Sequence, residues 1–357
     1  MKLFKCSRCG NVLYFENMMC LKCNSELGFV PERKMLDFMD AIDDQRLTYA
    51  HGTNGNTHRK CNNYHYHEVC NWMVDTAENE QFCVACRLNR TIPDLSVGKN
   101  KELWYKLEIE KRRLVYSLFQ LGLDVSSRNN DPDGLAFDFL ADHDEDFNEL
   151  GRVMTGHSEG LITINISEAD PVQREKMRTN MEEHYRTILG HFRHESGHYY
   201  WERLVQDTEF HGEFREIFGD ERQDYGAALE RYYKDGKPVD LKDHYISDYA
   251  SSHPWEDWAE SWAHYLHIMD TLETAYSFGI SIGPRIKKGD DPVDIDFSPY
   301  KEKDFKVIFD QWLSLSFALN SLNRSMGHPH AYPFVISPPV INKLEFIHKI
   351  ILRNKRV

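Results

Sequence analysis

The sequence predicts an α+β chain, mostly helical, whose first quarter is built differently from the rest. Three observations carry this. All eight cysteines lie between positions 6 and 86 of the 357 residues. Beyond residue 100, apolar side chains recur at helical spacing over long stretches, as in 99–121 and 305–322. The segment 160–167 instead alternates Ile162, Ile164 and Ile166 with Leu161, Thr163 and Asn165, the period of a strand with one face buried. A cysteine-rich region over 1–100 followed by a larger domain over 101–357 is the division expected. With 41% apolar and 13% aromatic residues, the larger part has ample material for a core.

Charge sets limits on partners. The formal net charge is −14, from 43 basic and 57 acidic side chains. The excess lies entirely after residue 100, because 1–100 carries 12 of each sign. An acidic body argues against binding nucleic acid along its length. No run approaches 18 apolar residues, so no membrane span is expected. Cys6, Arg8, Cys9 and Lys22 interrupt any apolar leader, which points to the cytoplasm, where thiols stay reduced.

Cys6-Ser-Arg-Cys9 and Cys20-Leu-Lys-Cys23 are two Cys-x-x-Cys pairs ten residues apart. Four thiolates so spaced suit one tetrahedral Zn²⁺, a zinc ribbon, with Asn11–Met19 as a short hairpin and Gly10 in the tight knuckle. Cys61, Cys70, Cys83 and Cys86 have irregular spacing; a second Cys₄ zinc site is the economical reading, against buried inert thiols. His65 and His67 are alternative ligands there. Both sites would be closed and structural. Met35–Leu47 reads as a short helix, Tyr49–His58 as a loop rich in Gly, Asn and Thr, and Arg87–Leu95 as an exit segment. A helix over 99–121 follows, with Trp104, Leu107, Leu114, Val115 and Leu118 on its apolar face.

After the strand at 160–167, Asp170-Pro171-Val-Gln173 supplies an N-cap, a proline at the first helical position and a capping-box Gln. A long helical pattern runs on through Met177, Met181, Tyr185, Ile188 and Leu189, with a kink or interruption at Gly190. It leads into Phe192-Arg-His194-Glu195-Ser-Gly-His198, a His-Glu-x-x-His motif. On a helix, His194 and His198 project from one face and can share a Zn²⁺, while Glu195 can serve as general base. A third protein ligand must come from elsewhere. Trp201 and Leu204 stand where one common arrangement needs Gly and His, so an acidic residue from a later helix is required. His253-Pro-Trp-Glu256-Asp-Trp-Ala-Glu260-Ser-Trp-Ala-His264 offers it: Pro254 and Trp255 open a helix, Glu256 ligates, and Glu260 accepts the second ring N–H of a ligand histidine. Ala259 and Ala263 permit close approach of the two helices, and His264 and His267 read as packing or surface residues.

His194-Glu195-x-x-His198 with Glu256-x-x-Ala259-Glu260 resembles the gluzincin pattern of zinc metallopeptidases, although gluzincins often carry Asp where this chain has Glu260. More closely, the chain resembles the bacterial zinc-binding metallopeptidase family with an amino-terminal zinc-ribbon domain. Shared runs are the Cys6/Cys9/Cys20/Cys23 ribbon, Cys83-Val-Ala-Cys86-Arg-Leu-Asn-Arg-Thr-Ile-Pro-Asp-Leu and Phe192–Tyr199. His253–Glu260 and Ala318–Gly327 belong to it as well. The resemblance implies a zincin-like, gluzincin-type domain behind small zinc-ribbon modules. It also implies peptide hydrolysis, with Glu195 as general base on a zinc-bound water and zinc held by His194, His198 and Glu256. One catalytic and two structural zincs are expected, with a protein or peptide as partner; the resemblance assigns a catalytic class and brings no substrate with it, and a selective intracellular protein is the separate expectation for the target.

Tyr245, Tyr249 and His253 are candidate oxyanion stabilisers that spacing does not choose among. The strand at 161–166 is either an edge that pairs with an extended substrate or an interior strand. Helices are expected near Phe305–Leu322 and Ile341–Leu352, around a proline-rich His328–Pro339, and the basic end 353–357 as a solvated terminus. The competing reading is a non-enzymatic zinc-ribbon module that binds a protein or nucleic acid.

Overall fold

The computed structural model describes residues 2–43, 48–50, 57–142, 153–180, 187–236, 243–283 and 292–355. It contains two compact units, Met1–Tyr116 with Val125–Glu183, and Ser117–Asp124 with His184–Val357.

In the first unit, β1 (Phe4–Lys5) and β2 (Val12–Leu13) pair antiparallel around the first cysteine knuckle. The hairpin therefore encloses Cys6–Cys9 rather than lying wholly within Asn11–Met19. Gly10 has a positive φ of 75° and its N–H donates to the Cys6 carbonyl; Asn24, with φ of 57°, repeats this against Cys20. Next come the antiparallel pair β3 (Leu27–Val30) and β4 (Met35–Phe38), and a four-stranded sheet of β5 (Asp40–Asp43), β6 (Thr48–Ala50), β7 (Thr57–Lys60) and β8 (Met73–Asp75).

The short helix expected over Met35–Leu47 is thus two strands, with 44–47 outside the described residues. Its apolar positions fit either period. Pairing decides: Leu36 faces Phe29 and Phe38 faces Leu27 across a turn at Pro31–Arg33. Of the loop expected over Tyr49–His58, the ends lie in β6 and β7, and 51–56 fall outside the described residues. Phe15, Phe29, Trp72 and Tyr116 form the aromatic centre of this unit, with ring centroids 4.6–6.1 Å apart.

After α1 (Asn62–His65), β9 (Asn89–Thr91) occupies part of the expected exit segment and α2 (Asn100–Leu121) buries Trp104, Leu107, Leu114, Val115 and Leu118. A further four-stranded sheet has the order β11-β12-β10-β9, with β10 (Ala136–Leu140), β11 (Gly156–Ser158) and β12 (Leu161–Asn165). β12 pairs in parallel with β10 on one side and antiparallel with β11 on the other. It is an interior strand, so its backbone is not available to add a substrate strand. Asp170 caps α3 (Pro171–Asn180), its Oδ1 accepting from the N–H groups of Val172 and Gln173.

The second unit is helical. α4 (Ile188–Leu204) begins afresh at Thr187, whose hydroxyl accepts from Gly190 N–H at 2.9 Å. Gly190 therefore sits in a first turn rather than at a kink, and Met181 and Tyr185 lie outside the described residues. α5 (His211–Phe218) and α6 (Tyr225–Asp235) precede α7 (Pro254–Phe278), the central helix, most of whose residues are buried. A small hairpin, β13 (Ser281–Ile282) with β14 (Val293–Asp294), leads to α8 (Phe305–Ser325) and α9 (Pro338–Asn354).

α4 lies against α7 at close range. Trp258 Nε1 donates to the Gly197 carbonyl at 2.8 Å, Trp262 Nε1 to Ser196 Oγ at 3.2 Å, and the Tyr200 and Trp262 rings stack at 5.0 Å. Behind them, Phe214, Phe218 and Phe346 close over Trp258. Among the described residues no helix is long and apolar enough to cross a membrane.

Candidate functional site

All eight cysteines are free thiols gathered in two groups of four. In the ribbon, Cys6 and Cys23 sulfurs lie 3.8 Å apart and Cys9 and Cys20 3.5 Å apart, so four ligand atoms converge from two knuckles. The second group, Cys61, Cys70, Cys83 and Cys86, is fully buried, with 3.8 Å between Cys70 and Cys83 sulfurs. His65 is exposed against Tyr66, and His67 packs on Trp104; neither joins the group.

Arg112 is buried beside this second group and donates to the Val69 carbonyl at 2.6 Å. Burial works to discharge it, but negative charge on Cys70 and Glu108 holds its pKa up. A zinc ion with four thiolates carries net negative charge, so a buried guanidinium fits the loaded site.

In the second unit, α4 places His194 and His198 one turn apart, ring centroids 4.9 Å from each other. Glu256, in the first turn of α7, faces both: its Oε2 lies 3.0 Å from His194 Nε2, and its Oε1 3.5 Å from His198 Nε2. Glu260, one turn on, takes the other side of His194, whose Nδ1–H donates to Oε1 at 2.7 Å. Ser247 Oγ donates to the second Glu260 oxygen at 2.6 Å. Burial works to raise the Glu260 carboxyl, but the imidazole beside it brings it down to about 2. Glu256 is held well below the carboxylate range in the same way, burial being outweighed by His198 and His194.

This geometry fits a metal. Burial works against charge on His194, but Glu256 and Glu260 favour its protonated ring when no ion is bound; in the neutral form, with Nδ1–H donating to Glu260, it presents a lone pair on Nε2. That lone pair faces Glu256 Oε2, which is buried and accepts no hydrogen bond. Two acceptors 3.0 Å apart call for a bridging proton or cation, and two imidazole nitrogens with one carboxylate are a donor set suited to zinc.

Glu195 is buried on the same helix; the Tyr225 and Tyr249 phenols are raised chiefly by burial, then by the Glu256 charge, with a smaller contribution from Glu195. Of the three oxyanion candidates, Tyr249 is beside the cluster, its ring 6.0 Å from that of His194. Tyr245 is engaged elsewhere, under the Lys343 ammonium at 4.6 Å, and Lys343 pairs with Asp257. His253 has both ring nitrogens committed to backbone: Nδ1 accepts from Trp255 N–H at 3.1 Å and Nε2 donates to the Gln223 carbonyl at 3.2 Å. It is the cap of α7 and has no free donor. His264 and His267 are packed inside, against Tyr332 and Arg193.

Two residues of the site carry no sequence signal. Tyr225 donates to Glu256 Oε1 at 2.7 Å, and Ser247 steadies Glu260. Neither stands at a fixed interval from the residue it serves, so no spacing rule reaches them.

Residues 100–350 match the model of a family described as "Putative zinc-binding metallo-peptidase", and residues 3–97 match a zinc-ribbon domain. The chain is also 40% identical over 353 residues to uncharacterized proteins of Mycobacterium bovis and of two Mycobacterium tuberculosis strains, covering 98% of this chain and 95% of theirs. No solved structure matches it. The chain belongs to this zinc-binding metallo-peptidase family and carries a zinc-ribbon domain in front of the peptidase-type region.

Proposed function

We propose that the chain is a zinc-dependent peptidase acting on a selective protein substrate. The carrying observation is the convergence of His194, His198 and Glu256, with the buried carboxylate of Glu195 on the same helix as the two histidines. Zinc held by those three residues would polarise the scissile carbonyl and lower the pKa of water toward about 7. Glu195 takes the proton of the attacking water and delivers it to the departing amine. Tyr249 keeps its phenolic proton and donates it to the oxygen on which charge develops. Glu260, with Ser247 behind it, fixes the His194 ring so that Nε2 is the ligating atom.

Glu195→Gln tests the reading, since it removes the base and spares the ligands. Zinc content stays at the wild-type value while peptide hydrolysis falls by about 10²–10⁴. Mapping new protein amino termini in cells with wild type against Glu195→Gln identifies the substrate. Equal turnover in the two proteins would falsify the assignment.

A further inference from the structure

We infer that Tyr225 is a positioning residue for the metal-facing carboxylate: its hydroxyl holds Glu256 Oε1, leaving Oε2 as the oxygen presented to the ion. This rests on the peptidase reading of the site and deepens it. Tyr225 Oη donates to Oε1 at 2.7 Å, whereas Oε2 accepts no hydrogen bond and stands 3.0 Å from His194 Nε2. The two oxygens of one buried carboxylate are thereby made different. A carboxylate free to rotate offers either oxygen or both; one pinned by a phenol offers a single oxygen in a fixed direction.

The fold holds Tyr225 where this requires. It is the first residue of α6, capped by Asp224 Oδ1, which accepts from Ala227 N–H at 2.8 Å. The His253 and Trp255 rings meet the Tyr225 ring edge-on at 5.3 and 5.9 Å. His253 also joins the two helix starts, holding the α7 amino end through Trp255 N–H and the segment before α6 through the Gln223 carbonyl. Tyr225 and Glu256, 31 residues apart in sequence, are thus fixed to a common post. His253 acts through that post, without reaching reacting atoms. The Tyr225 proton is spent on Glu256, so Tyr225 is not itself the oxyanion donor.

The test uses the full chain loaded with zinc and titrated against a chromophoric chelator. Wild type, His194→Ala, Tyr225→Phe and Tyr249→Phe are compared. His194→Ala identifies the zinc bound in the second unit as the one it lacks. Tyr225→Phe is expected to hold that zinc about 10–100-fold more weakly, and Tyr249→Phe to hold it as tightly as wild type.

Wild-type affinity in Tyr225→Phe overturns the inference. So does an equal loss in Tyr249→Phe, which would assign the effect to general hydroxyl packing. If His194→Ala loses no zinc, the peptidase reading itself fails, a result distinct from either. Retention of the cysteine-bound zinc reports that each variant is folded. Should Tyr225→Phe not fold, a crystal structure of the zinc-loaded wild type decides: Tyr225 Oη beyond hydrogen-bond reach of Oε1 overturns the inference, and contact with Oε1 while Oε2 meets the ion sustains it.

Discussion

Gly197 and Ala259 meet backbone to backbone: a Cβ added at Gly197 would stand 2.9 Å from the Ala259 Cα and 3.2 Å from the Trp262 side chain. Gly197 lies between the motif histidines on α4, and Ala259 between Glu256 and Glu260 on α7. The absence of side chain at this crossing is what lets a carboxylate in the first turn of α7 reach two imidazoles on α4.

Gly197→Ala should therefore act twice. Overpacking at a helix crossing typically costs about 1–3 kcal/mol, read as a lower midpoint in urea unfolding. Separating the helices also carries Glu256 and Glu260 away from His194. Zinc affinity should fall together with stability, and Gly197→Val should be worse on both measures.

Removing the carboxylate behind His194 should loosen the metal without removing a ligand. Glu260→Ala is expected to weaken zinc binding about 10–100-fold, read by chelator competition. Ser247→Ala, which takes away only one hydrogen bond to Glu260, should do so to a smaller degree. Glu260→Asp shortens the reach to His194 Nδ1, and should fall between the two.

Metal analysis of the full chain should give three zincs. One, bound through nitrogen and oxygen ligands on two helices, should be removable by mild chelation with the far-ultraviolet circular dichroism unchanged. The other two sit among four thiolates each, and their removal should unfold the cysteine-rich region, because that region's small strands depend on them. Cys83→Ser should abolish one tight zinc and leave the labile one in place.

Acid should destabilise the second unit through His264. Burial lowers this imidazole to about 4 against the opposing charge of Glu260, and its Nδ1 meets the Tyr332 hydroxyl at 2.8 Å. The folded pKa is below the unfolded one, so the unfolded chain binds more protons between them. Stability is full above about 6.5 and is lost as pH falls toward about 4, to the extent of roughly 3 kcal/mol. His267, held low by burial and Arg193, works in the same direction. Urea midpoints at pH 4.5 and 7 should differ less in His264→Gln than in wild type.

Much of the site is legible along single stretches of chain. His194, Glu195 and His198 are fixed relative to one another by the helix pitch, as are Glu256 and Glu260, and each cysteine knuckle by its own tight turn. Where the chain alone was ambiguous, pairing partners decided. Met35–Phe38 became a strand because Leu27 and Phe29 lay opposite, and β12 became interior because strands flank it on both sides. His253 had the residue type of a catalytic donor, yet its nitrogens are consumed by two backbone groups that only the packed helices bring to it.

Local backbone geometry alone sets two imidazoles one turn apart with a carboxylate between them, and two carboxylates one turn apart on a later helix, so these are readable from the chain. Which hydroxyls attend them depends on packing between distant segments. Tyr225 and Ser247 come from segments whose approach depends on the close crossing of α4 and α7 and on the clamp at His253, and long-range packing of that kind leaves no period in the chain.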